Sequence, residues 1–325
     1  MSARAGQRHL SAGCRGAVAT ATALQPLSRA ISPPAAQTSL CPRDLATLGF
    51  LAGFRCLEVE QLERLLDPAR SLTPGARRRT ALRALESLRG RGLAATPDDA
   101  PQGDRRARLV HRLTAHGRRV YGSVDARFPN ERLRPPTQGQ AAHARLVADL
   151  AVTIHGTIAQ VAADTGMAWE SDWEAVARVG SMVVIPDALL TYEVARRRTY
   201  AFIEADRANE YDAAFGRKVE RYLRLYRSDT WRDILPIWPF VLTVTTTPGQ
   251  ASRLKRTTVR AVSRSDCSAL MARFRFTSLS QVHGPLGFLG AIWQVAGRDG
   301  LHRPIDPRDD DRRAAQVATA QSCGR

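Results

Sequence analysis

Apolar positions recur every three or four residues along much of this chain, and they define its first four helices. Leu45, Leu48 and Leu51 follow Pro42, a residue suited to the first turn of a helix. Val59, Leu62, Leu65 and Leu66 predict a short second helix, ended by Asp67-Pro68 and the stretch from Ser71 to Gly75. The segment GARRRTALRALESLRGRG predicts a third. With Leu82 as reference, Ala81, Leu82, Leu85 and Leu88 fall on its apolar side, while Arg79, Thr80, Arg83 and Ser87 fall opposite. Leu93-Ala94-Ala95 and the stretch from Arg108 to Leu113 flank a polar loop and predict a hairpin. Thr114 is placed to cap the helix after it.

Past Phe128-Pro129-Asn130 and Arg134-Pro135-Pro136 the pattern changes. An apolar helix is expected over 140–163, then strands over 167–173, 181–192 and 199–206. The stretch from Val194 to Arg198 between the last two is expected to be a basic turn. A helix over 211–226 follows, with Asn209 as its cap and Phe215, Val219, Tyr222 and Tyr226 on one face. A last strand is expected over 238–246, rich in β-branched residues. The expected fold class is α+β: a winged helix-turn-helix followed by a C-terminal αβββαβ domain. The expected divisions are an unstructured basic arm (1–41), the winged helix (42–122), a linker (123–139), the α/β domain (140–260), an extension (261–303) and an unstructured tail (304–325). Phe274 to Phe276 and Ile292-Trp293 are candidates for an added strand and a packing element.

Charge narrows the partners. Forty-eight Lys and Arg face 31 Asp and Glu, a net charge of +17. All but two of the cations, Lys218 and Lys255, are arginine. Part of this excess reflects a GC-rich composition, so the placement of the arginines carries more weight than their number. Arg77, Arg78, Arg79, Thr80 and Arg83 on the third helix, with Arg105, Arg106, Arg108 and Arg112 on the wing, are the candidate DNA contacts. The third helix of such a unit enters the major groove, and the wing follows the flanking backbone. A protein-interaction module is the alternative for this domain. The first 43 residues contain no acid. They resemble a transit peptide in composition but lack an amphipathic run, and a basic arm adding phosphate contacts is preferred.

The five cysteines form no Cys-x-x-Cys, the seven histidines show no zinc spacing, and no apolar run reaches bilayer length. A protein of the reducing cytoplasm is expected, without membrane contact.

Candidate chemistry lies on the predicted strands. Asp187 follows Pro186, and Glu204 and Asp206 lie two apart, hence on one face. Adjacent strands bring Asp187 beside Glu204, where a divalent cation such as Mg²⁺ or Mn²⁺ relieves the repulsion of paired carboxylates. The candidate metal ligands are therefore Asp187 and Glu204, and the candidate catalytic set is Asp187, Glu204, Asp206 and Lys218. The arrangement resembles the PD-(D/E)xK nuclease superfamily, but an acid, Asp206, stands where that pattern has lysine. Lys218 and Tyr222, in Lys-x-x-x-Tyr on the next helix, offer a displaced cation. The alternatives are a snorkelling surface lysine and a carboxylate cluster neutralised by Arg207 and Arg217. Tyr222 is read as core, and no activated Tyr or Ser nucleophile presents itself for a topoisomerase-like reaction.

In their order and spacing several segments resemble the replication-relaxation family of bacterial plasmids and mobile elements. They are Pro42-Arg43-Asp44-Leu45, Arg91-Gly92-Leu93, Leu113-Thr114-x-x-Gly117, His143 with the helix after it, Pro186-Asp187-Ala188, the stretch from Phe202 to Arg207, and the stretch from Lys218 to Tyr222. Ala205 and Ala208 stand where Val and Gly are common in that family, whereas an acid at position 206 is typical of it. The resemblance implies an accessory protein of plasmid replication and relaxation that binds double-stranded DNA with sequence preference. Replication proteins, relaxases or a second copy are further partners. A metal-dependent nuclease or nickase and a winged-helix transcriptional regulator are the alternatives.

Overall fold

The computed structural model describes residues 40–96, 110–128, 138–161, 167–172, 174, 184–194, 197–207, 212–233 and 235–304. Three helices open it: α1 (Pro42–Phe54), α2 (Val59–Leu66) and α3 (Pro74–Gly90). Pro42 and Pro74 occupy first-turn positions, where the missing N–H costs nothing, and the Thr73 hydroxyl accepts the Ala76 N–H at 3.3 Å. Glu58 and Gln61 close a reciprocal capping box at the start of α2. Three short strands complete this unit: β1 (Leu57–Glu58), β2 (Ala94–Ala95) and β3 (Val110–Leu113), with β3 paired antiparallel to both others.

Helix α4 (Ala115–Val124) is capped by Thr114, which accepts the Gly117 N–H at 2.9 Å. A Cβ at Gly117 would lie 2.0 Å from the Leu93 carbonyl oxygen, so the Thr-x-x-Gly spacing brings α4 against the end of β2.

The second half is built on a seven-stranded sheet. Helix α5 (Gln138–Val161) precedes β4 (Met167–Ser171), β5 (Ala188–Val194) and β6 (Arg197–Asp206), an antiparallel meander. Helix α6 (Asp212–Arg227) crosses to β7 (Phe240–Thr245), and α7 (Pro248–Ser263) crosses to β8 (Phe274–Ser278). β6, β7 and β8 are mutually parallel. After α8 (Leu279–Val282), β9 (Trp293–Val295) and β10 (Leu301–His302) close the sheet in the order β10-β9-β8-β7-β6-β5-β4.

Alternation along the strands separates two cores. Ala201, Ile203, Ala205, Leu242 and Val244 join α5 and the opening helices in one apolar cluster. Phe202, Val241, Phe274 and Phe276 join α6 and α7 in the other. The opening helices, α5, the sheet and the α6–α7 pair therefore stack as successive layers. Among the described residues no helix is long and apolar enough to cross a membrane.

The mixed α+β class agrees with the expectation. Several details do not. The strand expected over 181–192 is β5, beginning at Ala188; Pro186 has no N–H for a ladder, and pairing starts with the Asp187 N–H on the Ile203 carbonyl (3.0 Å). Arg197 and Arg198, expected in a turn, open β6 instead. The strand expected to be last, β7, is followed by three more, because Phe274 to Ser278 continue the parallel ladder. On α3 the apolar stripe is Ala81, Ala84, Leu85 and Leu88. Leu82 stands 36% exposed, and Ser87 turns inward to donate to the Asp44 carboxylate at 2.6 Å. Three of the four expected apolar positions, Ala81, Leu85 and Leu88, are thus buried, and Ala84 takes the place expected of Leu82. The expected cap Asn209 lies outside the described residues.

Candidate functional site

Two regions carry the candidate residues. The first is the outer surface of α3. Arg79 and Arg83 are exposed there and have no ion pair among the described residues. They share the exposed side of the helix with Leu82, Glu86 and Arg89. Three of the other expected contacts are held within the protein. Arg78 spans to Glu60 (3.0 Å) and Glu63 (3.2 Å) on α2, and Arg77 approaches Asp67 at 3.8 Å. The Thr80 hydroxyl donates to the Ala76 carbonyl within its own helix. Arg112 lies half-buried on β3. Arg105, Arg106 and Arg108 fall outside the described residues.

The second region is a cleft of about 540 Å³ at the carboxyl end of β6. Its walls come from the end of α1 (Gly53 to Arg55), the start of α5 (Gly139, Gln140, His143), the run from Glu204 to Arg207, and Phe215 and Lys218 of α6. The register fixes its centre. Ala188 faces Ile203, so Asp187 lies across from Glu204, one rung beyond the end of β5. Residues opposed across antiparallel strands point to one face, which brings the two carboxylates together.

Each carboxylate is then satisfied by its own partners. Asp187 Oδ1 lies 2.9 Å from His143 Nε2, and Oδ2 accepts the Ala205 N–H at 2.7 Å. Glu204 accepts the Tyr222 hydroxyl on Oε1 and pairs with the Lys218 ammonium through Oε2. Lys218 and Tyr222 are four residues apart on α6, so one helical face delivers both. Glu204 is 2% exposed and Tyr222 1%. Lys218 is thus an ion-pair partner rather than a snorkelling surface residue. The neutralising cations are Lys218 and His143; Arg217 is exposed, and Arg207 donates to the Gly139 carbonyl at 3.1 Å.

Protonation follows this pairing. Burial pushes the Asp187 carboxyl up, but the His143 hydrogen bond and the nearby Lys218 charge outweigh it, and the net shift is downward. The same hydrogen bond raises His143 above its ordinary value against the opposing effect of burial. Burial, with Asp187 alongside, pushes Glu204 up to about 7 although Lys218 opposes it. Asp206 shares the face of Glu204, but its Oδ2 accepts from Gln250 Nε2 on α7 at 2.8 Å. Gln250 in turn accepts from Arg253, which pairs with Asp212.

These donors do not fit a divalent metal as they stand. All four oxygens of Asp187 and Glu204 already face a hydrogen-bond donor or a cation. Among the described residues no group of three or more His, Cys, Asp and Glu side chains is arranged to hold a metal ion. Sequence reasoning brought Asp187, Glu204 and Lys218 into one candidate set. It did not give a site role to His143, 44 positions before Asp187; it read Tyr222 as core, where the ring lies, without foreseeing the hydrogen bond to Glu204. The Lys-x-x-x-Tyr spacing was the only local signal for Tyr222.

Comparison with curated proteins finds no match, and comparison with solved structures finds none. The family described as Replication-relaxation matches residues 48–236. That span is more than half of the chain and runs from within α1 past the whole of α6, including α3, His143, Asp187, Glu204, Lys218 and Tyr222. The chain therefore belongs to the replication-relaxation family.

Proposed function

We propose that this protein is a double-stranded DNA-binding accessory factor of plasmid or mobile-element replication and relaxation. Its opening unit acts as a winged helix with α3 in the major groove, and its sheet unit acts as a catalytically silent relative of the PD-(D/E)xK fold. The observation that carries this reading is the exposure of Arg79 and Arg83, without acidic partners among the described residues, on the outer face of the third helix. A guanidinium in that position supplies bidentate contacts to guanine and charge to phosphate. Family membership supports the link to replication and relaxation. The strand order β4-β5-β6-β7, with α6 crossing from β6 to its parallel neighbour β7, supports the fold relationship.

A gel-shift series in salt tests the reading. The logarithm of affinity falls linearly with the logarithm of salt, by roughly 0.9 for each phosphate neutralised. The double variant Arg79→Ala, Arg83→Ala loses about 30-fold or more in affinity, from two contacts worth roughly 1–3 kcal/mol each. An unchanged affinity would remove α3 from the interface.

A second reading, a divalent-metal nickase, is favoured by one observation: Asp187, Glu204 and Lys218 converge in one cleft. A metal there must first displace Lys218 or His143 from the carboxylates. With supercoiled plasmid and Mg²⁺ or Mn²⁺ the expected outcome is no nicking. Nicking that Asp187→Ala and Glu204→Ala both abolish would establish the enzyme instead.

A further inference from the structure

The layer farthest from α3 carries a second unpaired cationic surface. On α6, Phe215, Val219 and Tyr222 face the sheet, and Arg217, Arg221 and Arg224 are exposed on the opposite side. Their spacing of four and three residues sets them in one row, about 10 Å long at 1.5 Å per residue. Arg256 is exposed on the neighbouring α7, and Arg264 just beyond its end. None of these five has an ion pair among the described residues. The acids of this face are mostly engaged: Asp212 lies between Arg253 (2.8 Å) and Arg260 (4.0 Å), and Asp266 faces Arg227 (3.7 Å). Only Glu220 remains among the α6 arginines without an ion pair among the described residues.

Position gives this surface its meaning. The crossovers β6-α6-β7-α7-β8 lay both helices on one face of the sheet, where they share an apolar cluster. The opening helices pack with α5 on the other face, through a separate apolar cluster. A straight duplex lying along α3 does not reach around the sheet to α6. A row of guanidiniums about 10 Å long matches the backbone of roughly three base steps, and it offers no buried pocket to read a base.

We propose that the outer face of α6 and α7, centred on Arg217, Arg221 and Arg224, binds the phosphate backbone of a second duplex. One chain would then hold two DNA segments, one on each side of its sheet. This rests on the reading that α3 binds the first duplex.

A bead assay tests it. One duplex is immobilised at low density, the protein is added, and capture of a second, fluorescent duplex is measured alongside gel-shift affinity for a single duplex. The wild-type chain captures the second duplex, and capture weakens steeply with salt. The triple variant Arg217→Gln, Arg221→Gln, Arg224→Gln keeps single-duplex affinity within threefold but loses at least tenfold in capture. The corresponding Arg→Lys triple keeps capture within threefold, because a backbone contact of this kind requires charge rather than bidentate geometry. Undiminished capture by the Gln triple overturns the proposal, since two copies joined through other surfaces would then do the bridging. An equal loss of single-duplex affinity also overturns it, since one duplex would then wrap both faces. The Arg79→Ala, Arg83→Ala variant separates the two levels. Unchanged single-duplex affinity there defeats the α3 reading. Normal α3-dependent binding without capture by the wild type defeats only the second surface.

Discussion

The α3 surface and the β6 cleft both concentrate cations, and they treat them in opposite ways. Arg79 and Arg83 stand in solvent with no ion pair among the described residues. Lys218 and His143 are each matched to one carboxylate, at least half out of water. Unpaired surface charge remains available to a partner outside the molecule, whereas paired charge inside it is consumed in holding its own site together. Arg78 shows that the division does not follow the helix. It lies beside Arg79 on α3 and is already committed to Glu60 and Glu63.

Three perturbations press on this contrast. The largest effect is expected from Lys218→Met, which leaves Glu204 buried beside Asp187 without its cation. Breaking a buried pair costs about 3 kcal/mol at the low end of its usual range, the appropriate end because Lys218 retains some contact with water. Thermal melting should show the loss, and Glu204→Gln in the same chain should recover part of it. An unshifted melting curve would mean that the cleft does not depend on this pair.

The next effect is a dependence on pH. Glu204 holds its proton up to about 7 in the folded chain but sheds it near 4.5 when unfolded, so the folded state binds the extra proton between those values. Glu174, pushed up to about 7 by burial, behaves likewise. His143, raised by Asp187, contributes stability below 6.5 that is lost as pH climbs through its folded value. Asp187 acts in the other direction, but only at acid pH, where its contribution disappears as pH falls below the ordinary carboxylate range. His111 and His155, each held down to about 4 by burial, oppose this trend up to pH 6.5, so the test is a difference between two chains. Measured by urea unfolding, the stability change from pH 5 to pH 8 should be more favourable in Glu204→Gln than in the wild type, and an identical change in both would contradict the assignment.

The smallest effect sharpens the comparison within α3. Arg78→Ala should change DNA affinity by less than threefold and stability by under about 1 kcal/mol, as exposed pairs do. A loss as large as that of the Arg79 and Arg83 double variant would show that pairing with α2 does not exclude Arg78 from the interface.

Local chemistry made some features legible in the sequence and long-range geometry hid others. Pro42 and Thr114 mark their helix starts without any knowledge of the fold, since a cap depends on residues within one turn. Asp187 and Glu204 could be set side by side because strand alternation is nearly free of context. The phase of α3 was legible except at its edge: Ala81, Leu85 and Leu88 are buried as their spacing implies, and only packing decides that Ala84 rather than Leu82 completes the stripe. The partners of the carboxylates were hidden for a related reason. Nothing near Asp187 in sequence announces that His143 will meet it, and the pairing exists only once α5 lies across the sheet. Phe274 to Phe276 were legible as an added strand and lie in β8, whereas β9 and β10, three and two residues long, escaped because each gains its place only by pairing with a neighbour already formed.

Helix α5 has a mechanical consequence. Ala148, Leu150, Ala151 and Ile154 are fully enclosed, with the opening helices on one flank and the sheet on the other. If α3 holds DNA as proposed, a pull on that DNA reaches the strands through close-packed hydrocarbon rather than through a slack tether. With a second load held on the far side of the sheet, the chain would behave as a strut between the two.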